Sequence, residues 1–473
     1  MTYFSKTITS LQCILLCILL VIIEVTDIYP GQDPDRPEVD IIAKGVLANG
    51  SEEEVIQLQV HEFLKTSFYA LLNYVFFEEG DHNLPARYNL LRDNESTKLF
   101  NPQMQFLNWE ILDVYWNILN ITGYRLRQTP DETITLTGCN SNTGIEAGNP
   151  ELSLRRAEAV KNYLTEVWKI APERIKIAEP KNLPDAPSTS SENPALSAEE
   201  NRRVEITGSW EMLKPLVIQD TTRSANPPVI YFYSYINSKV TIRGSKITIM
   251  QKGENLRDPF YFNGPPRDVL RWRIKKEEIP SKDFPIIYRL FVKADLSGES
   301  PAKKINVEEY SLSAKKKLRM DMKEYSRYSL ILFNFEKADL LDNHKKIIDL
   351  IKDYEDINKS TKFYITGYSD ETGPDNINLD LSDKRSQNTR SALLETGIEE
   401  KQIAQCKGLG ESTSPYFKSA IEHLIVNQGR YIDPAYLESN KDDREINYNR
   451  FPEGRFYCRT VVIEIENTVK PED

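Results

Sequence analysis

A loop-helix pattern that fixes the place of an arginine is written twice, and one copy adds an aspartate. Thr137, Gly138, Gly144, Asn149, Leu152, Ser153 and Arg156 recur at one constant offset as Thr366, Gly367, Gly373, Asn378, Leu381, Ser382 and Arg385. Identities on a single offset mark two copies of one module. In the second copy Asp370 precedes the loop glycine Gly373, and Arg385 follows within the next helix. A carboxylate meets an ammonium, and a planar guanidinium grips a carboxylate through two parallel hydrogen bonds. The pair therefore suits a ligand carrying both charges. The first copy has Ser141 where the second has its acid, so its set of Ser141, Asn149, Arg156 and Arg202 is read as a degenerate site.

Each copy needs an apolar strand to lead into the loop and an amphipathic helix to leave it. Thr133 to Thr137 and Lys362 to Thr366 read as the strands. Leu152, Ala157, Val160, Leu164 and Val167 give the first helix its packing face, and the second helix is expected from about Ser382 to Gly397. Leu71 to Glu78 reads as a buried strand opening the first repeat. Trp109 to Gly123 reads as a helix stopped by Gly123. The second repeat opens with Tyr328 to Phe335, and its long excursion before the last strand carries a helix around Ser419 to Val426.

The expected fold is α+β: two sandwich domains of βαβα type, at 70–210 and 320–468, flanking an all-β, immunoglobulin-like sandwich at 215–319. The middle is read from alternating segments such as Val229 to Ile236, Lys246 to Gln251 and Ile286 to Ala294. Residues 31–69 read as a linker and a hairpin turning at Asn49-Gly50. Residues 1–30 hold Lys6 and the apolar run Leu11 to Ile23, the length of a secretory signal core and short of the ~20 residues that span a bilayer. A cleaved signal peptide and an uncleaved anchor both fit.

With 473 residues, 40% hydrophobic and 28% charged, the chain suits a soluble globular protein of several domains. Its net charge of −11 argues against nucleic acid as a partner, because phosphate needs a basic face. Outside the N-terminal run the cysteines are Cys139, Cys406 and Cys458. Pairing of Cys406 with Cys458 and free thiols both remain open. The scattered histidines lack metal-ligand spacing, and no nucleophile-base signature emerges. Neither a metal, a cofactor nor catalysis is expected.

The segment TGYSDETGPDNINLDLSDKR, with GLGES at 408–412 and CRTVVIEI at 458–465, resembles the C-terminal domain family of OmpA, whose pattern is TGHTD-x-x-G, N-x-x-LS-x-x-RA, GxGE and NRRV. The first copy, TGCNSNTGIEAGNPELSLRRA ending in ENRRVEI, resembles it too but lacks the acid and GxGE. The resemblance covers about 70–207 and 328–467. It implies a non-catalytic protein of the periplasm or the periplasmic side of the outer membrane, binding peptidoglycan through the diaminopimelate of its stem peptide. Asp370 would then meet the ammonium and Arg385 the carboxylate, with Asn378 holding the loop and Arg459 adding a contact. An outer-membrane protein partner is possible on this reading. The alternative is a periplasmic scaffold for protein partners, with wall binding lost or secondary.

Overall fold

The computed structural model describes residues 36–106, 110–330, 333–413, 419–434 and 447–471. The apolar N-terminal run lies outside them. No described helix is long and apolar enough to cross a membrane.

The duplication in sequence is a duplication in topology. In the first repeat the sheet runs Tyr74–Phe76, Arg203–Gly208, Ile134–Gly138, Ile175–Ile177. In the second it runs Met322–Leu330, Val461–Val469, Lys362–Ser369, Ile403–Glu411. In both, the last strand in sequence sits between the first two and pairs antiparallel with each, while the motif strand pairs parallel with the strand that follows its helix. The motif helices, Pro150–Glu166 and Asp375–Glu395, pack against these sheets.

Several elements depart from the sequence reading. The strand at 71–78 shortens to Tyr74–Phe76, although Leu71 and Leu72 are buried. The expected helix ending at Gly123 is two helices, Ile111–Tyr115 and Ile118–Gln128, with Gly123 inside the second. Gly123 is there for packing: a Cβ would come within 2.4 Å of the Trp168 ring. The second motif helix starts at Asp375, not near Ser382, following Pro374 at its N-cap. Its first turns lack an apolar stripe, and Ile377 and Leu379 are exposed.

The all-β part is a two-sheet sandwich, but it is not closed within 215–319. One sheet centres on Glu38–Leu47, flanked by Val229–Asn237 and Glu52–Glu54, with Val269–Arg273 beyond. Ile41, Ala43, Ile230, Phe232 and Trp272 from this sheet share a core with Ile247, Ile249, Ile286, Tyr288 and Leu290 from the facing one. The Asn49-Gly50 turn is present, with Gly50 at φ +83°, but the returning strand is Glu52–Glu54. The following strand, Gln57–Tyr69, leaves for the other sheet. Strands from before residue 70 thus set part of the topology, which an immunoglobulin-like unit confined to 215–319 does not contain.

Gln57–Tyr69 joins the sandwich to the second repeat. One edge pairs with Leu216–Asn226, from Gln59 opposite Asn226 to Tyr69 opposite Leu216. Along the other edge it pairs parallel with Lys303–Tyr310 and then with Met322–Leu330, so one 12-stranded sheet crosses from sandwich to repeat. Phe68 stacks on Tyr328 with ring centroids 3.9 Å apart. The repeats also share a core. Tyr115 packs on Tyr457 at 5.7 Å and Phe76 on Phe456 at 5.8 Å, and the Tyr457 hydroxyl receives a bond from Leu72 N (3.2 Å) and donates to Ala70 O (3.3 Å).

Residues 320–473 expressed alone would expose the Met322–Leu330 edge that Gln57–Tyr69 covers, and open edges template aggregation. That fragment is expected to aggregate or unfold without cooperativity, whereas 36–473 unfolds in one calorimetric transition. Two resolved transitions in the long chain, or a monomeric, cooperatively folded fragment, would contradict this coupling.

Candidate functional site

Each site begins with a glycine that lets a helix cross the end of its strand. A Cβ on Gly138 would lie 1.8 Å from Ser153 O, and one on Gly367 would lie 2.0 Å from Ser382 O. No side chain fits between strand and helix there. The close crossing brings the arginine three residues further along the helix behind the motif loop, and both Arg156 and Arg385 are fully buried.

The two arginines have matching backbone anchors. Arg156 donates from Nε to Asp81 O (2.8 Å) and from Nη1 to Cys139 O (3.2 Å). Arg385 donates from Nε to Lys337 O (2.9 Å) and from Nη1 to Tyr368 O (3.0 Å). Each guanidinium also lies over a phenylalanine, Phe77 at 5.5 Å and Phe333 at 5.0 Å. The difference is at Nη2. In the first repeat it meets Glu78 O at 2.9 Å and the Glu146 carboxylate at 2.5 Å. In the second repeat, no carboxylate among the described residues forms an ion pair with Arg385. Burial accordingly pushes the Arg385 guanidinium down to about 9, helped by the charge of Arg459 and opposed by Asp370.

Glu146 was not among the site residues read from sequence, yet it occupies the first site. Its Oε2 accepts from Ser141 N (2.9 Å) and Ser141 Oγ (2.8 Å), and its Oε1 accepts from Gly80 N (2.8 Å) as well as Arg156. Arg202 approaches it at 3.5 Å. Burial alone would raise this carboxyl, but Arg156 and the two backbone amides outweigh it and hold it down at about 2. Ser141 therefore does not stand for the acid; it binds an acid supplied five residues later. Asn149 caps the helix, accepting from Leu152 N at 3.1 Å.

The second site is organised around Arg459. Asp370 Oδ2 accepts from Arg459 Nε (2.7 Å) and from Thr372 Oγ1 (2.6 Å). Burial would raise the Asp370 carboxyl, but Arg459, Thr372 and the nearby Arg385 hold it below its usual value. Asp370 and Arg385 thus face each other's field without an ion pair. Asn378 lies inside the helix, unlike Asn149, and its amide donates to Gly373 O (2.9 Å) and Glu411 Oε1 (2.7 Å), tying the loop to the GxGE segment. Arg459 reaches further, to Glu200 of the first repeat, at 2.9 Å from Nη1 and 2.7 Å from Nη2. Sequence reasoning missed Glu200 because nothing local shows that it serves the other repeat.

Cys139, Cys406 and Cys458 are free thiols. Among the described residues no group of His, Cys, Asp or Glu is placed to hold a metal.

A twice-repeated α+β module, each copy burying an arginine behind its motif loop, defines an internally duplicated protein. Residues 115–202 and 332–427 match the OmpA family model, and the chain carries two OmpA-like domains. Solved structures similar to parts of it include the peptidoglycan-associated lipoprotein from Burkholderia pseudomallei, at 19% identity over 29% of this chain and 88% of that one, with a TM-score of 0.20. The OmpA-like domain of FopA1 from Francisella tularensis matches at 19% identity over 32% and 78%, TM-score 0.19. The periplasmic domain of Helicobacter pylori MotB matches at 13% over 29% and 72%, TM-score 0.19.

Proposed function

We propose that the chain is a non-catalytic cell-envelope protein whose second repeat binds peptidoglycan through the diaminopimelate of the stem peptide, tethering an outer-membrane or periplasmic assembly to the wall. The observation that carries this reading is the buried Arg385, which has no ion pair among the described residues, set against Arg156, where Glu146 fills the equivalent place. A buried guanidinium left without a counter-charge costs several kcal/mol, on the order of the penalty for one desolvated ion. A ligand carboxylate at Nη2 would remove that cost. Arg459 and Thr372 bind Asp370 through Oδ2, leaving Oδ1 to meet an ammonium. The match to the OmpA family supports peptidoglycan as the ligand and a place in the cell envelope, and the diaminopimelate and the periplasmic side belong to this proposal.

A scaffold role fits the first repeat, because Glu146 already fills its pocket. Cosedimentation of the full chain with purified sacculi tests the wall-binding reading. Binding is expected, with release by free meso-diaminopimelate. Absence of binding, or binding indifferent to diaminopimelate, would return the whole chain to the scaffold reading.

A further inference from the structure

The second site does not end at the second repeat. Arg459 holds Asp370 Oδ2 through Nε (2.7 Å) and Nη2 (2.6 Å) and both oxygens of Glu200 through Nη1 and Nη2, so two carboxylates fix the guanidinium plane. Glu200 is the penultimate residue of the helix Pro194–Asn201, in the first repeat. It is held in turn by Arg455 Nε at 2.8 Å and by the Ser188 hydroxyl. Arg455 is fixed by Asn449 O (3.0 Å) and by Glu199 Oε2 (2.8 Å). Asp370, Glu200, Arg455 and Arg459 are all buried. At the other end of the same helix Asn193 donates to Thr372 O (3.3 Å), and Thr372 is the residue whose hydroxyl holds Asp370. The first repeat therefore touches the acid of the second site by two routes.

Charge explains why this matters for binding. Among the described residues the buried cluster sets Arg385, Arg455 and Arg459 against Asp370 and Glu200, with the half-exposed Glu199 pairing Arg455 from its rim. Glu200 pairs with both Arg455 and Arg459, which leaves Arg385 as the guanidinium of this cluster with no ion pair among the described residues. Without Glu200, Arg459 would lose the bonds that hold its guanidinium plane and be free to turn so as to pair with both oxygens of Asp370, taking the one that an ammonium needs. In the first repeat Arg202, at the place of Arg459 in the closing motif, instead meets Glu146 and Glu79 of its own repeat.

We propose that Glu200 is a positioning residue of the second repeat's binding site, so that the site is shared between the repeats and the first, self-filled repeat is part of the binding machinery. This rests on the wall-binding reading for the identity of the ligand, but the positioning itself is measurable without one. In the full chain, Glu200→Gln is expected to speed amide hydrogen exchange in 369–374 at least tenfold, leave the loop at 137–146 unchanged, and weaken binding to sacculi about tenfold. Glu158→Gln, at an exposed carboxylate of the helix Pro150–Glu166, should change neither. Glu200→Asp keeps the charge but is one methylene too short to hold both contacts; it serves where Glu200→Gln fails to fold, and should give an intermediate loss in both readouts. Exchange in 369–374 within twofold of the parent in a folded Glu200 variant would overturn the proposal, as would faster exchange with unaltered affinity. Failure of the parent chain to bind sacculi would instead overturn the wall-binding reading, while the exchange measurement still decides the role of Glu200.

Discussion

Arg156→Met should destabilise the folded chain by about 3–5 kcal/mol, while Arg385→Met should cost far less and abolish binding to sacculi. The two arginines occupy equivalent positions, share the same backbone anchors and are equally buried. What separates them is the counter-charge. Removing Arg156 leaves the Glu146 carboxylate buried with the 3.5 Å approach of Arg202, the Ser141 hydroxyl and the amides of Ser141 and Gly80. Removing Arg385 leaves two carbonyls to be resatisfied but also removes a buried charge that has no ion pair among the described residues. Lys337 is exposed, so water can replace the bond at its carbonyl. Arg385→Lys sharpens the comparison, since a point charge cannot supply two parallel donors to a carboxylate. Calorimetry and cosedimentation on the same preparations decide it. An Arg385→Met chain that loses as much stability as Arg156→Met would make Arg385 a structural residue, and normal binding by a folded Arg385→Lys chain would remove the two-pronged grip.

Much of the fold was legible because it is written in local signals. The motif strands, the apolar stripe of Pro150–Glu166, the helix at Ala420–Val426 and the strands from 229 to 293 all follow hydrophobic period and turn chemistry. The constant offset between the motifs anticipated two copies, and the matching strand order shows the same duplication in space. The unread parts are those set by distant partners. Leu216–Asn226 reads LVIQDTTRSAN, with a polar, partly exposed centre; it is a strand because Gln57–Tyr69 offers it a full-length edge. Gly123 looked like a stop and is a seat for Trp168. At the sites, Asp370, Arg385 and Arg459 could be picked by motif, and the structure brings all three into one buried cluster. Glu146 and Glu200 could not, because a carboxylate that fills a pocket or braces another repeat has the same sequence appearance as a solvated one.

Glu146 also makes the first pocket testable as a carboxylate site. Its carboxyl falls from an ordinary value near 4.5 to about 2 on folding, so it contributes stability that is fully present above about pH 4.5 and lost as the pH falls through about 2. At ~1.4 kcal/mol per unit, that contribution is about 3 kcal/mol at neutral pH. Glu146→Ala should remove it, flattening this part of the acid dependence and leaving Arg156 beside a vacated space lined by the amides of Ser141 and Gly80. A small carboxylate in solution can then take the place of the missing side chain, and a ligand that binds only the folded state stabilises it as its concentration exceeds its dissociation constant. With Arg385→Met in the background to silence the second site, sodium acetate at pH 7 is expected to raise the melting temperature of the Glu146→Ala chain above its value in sodium chloride of equal ionic strength. The chain with Glu146 intact should not respond, because its pocket is already filled. Equal melting temperatures in the two salts would show that the space beside Arg156 does not recognise a carboxylate, and would undercut the analogy that assigns a ligand carboxylate to Arg385.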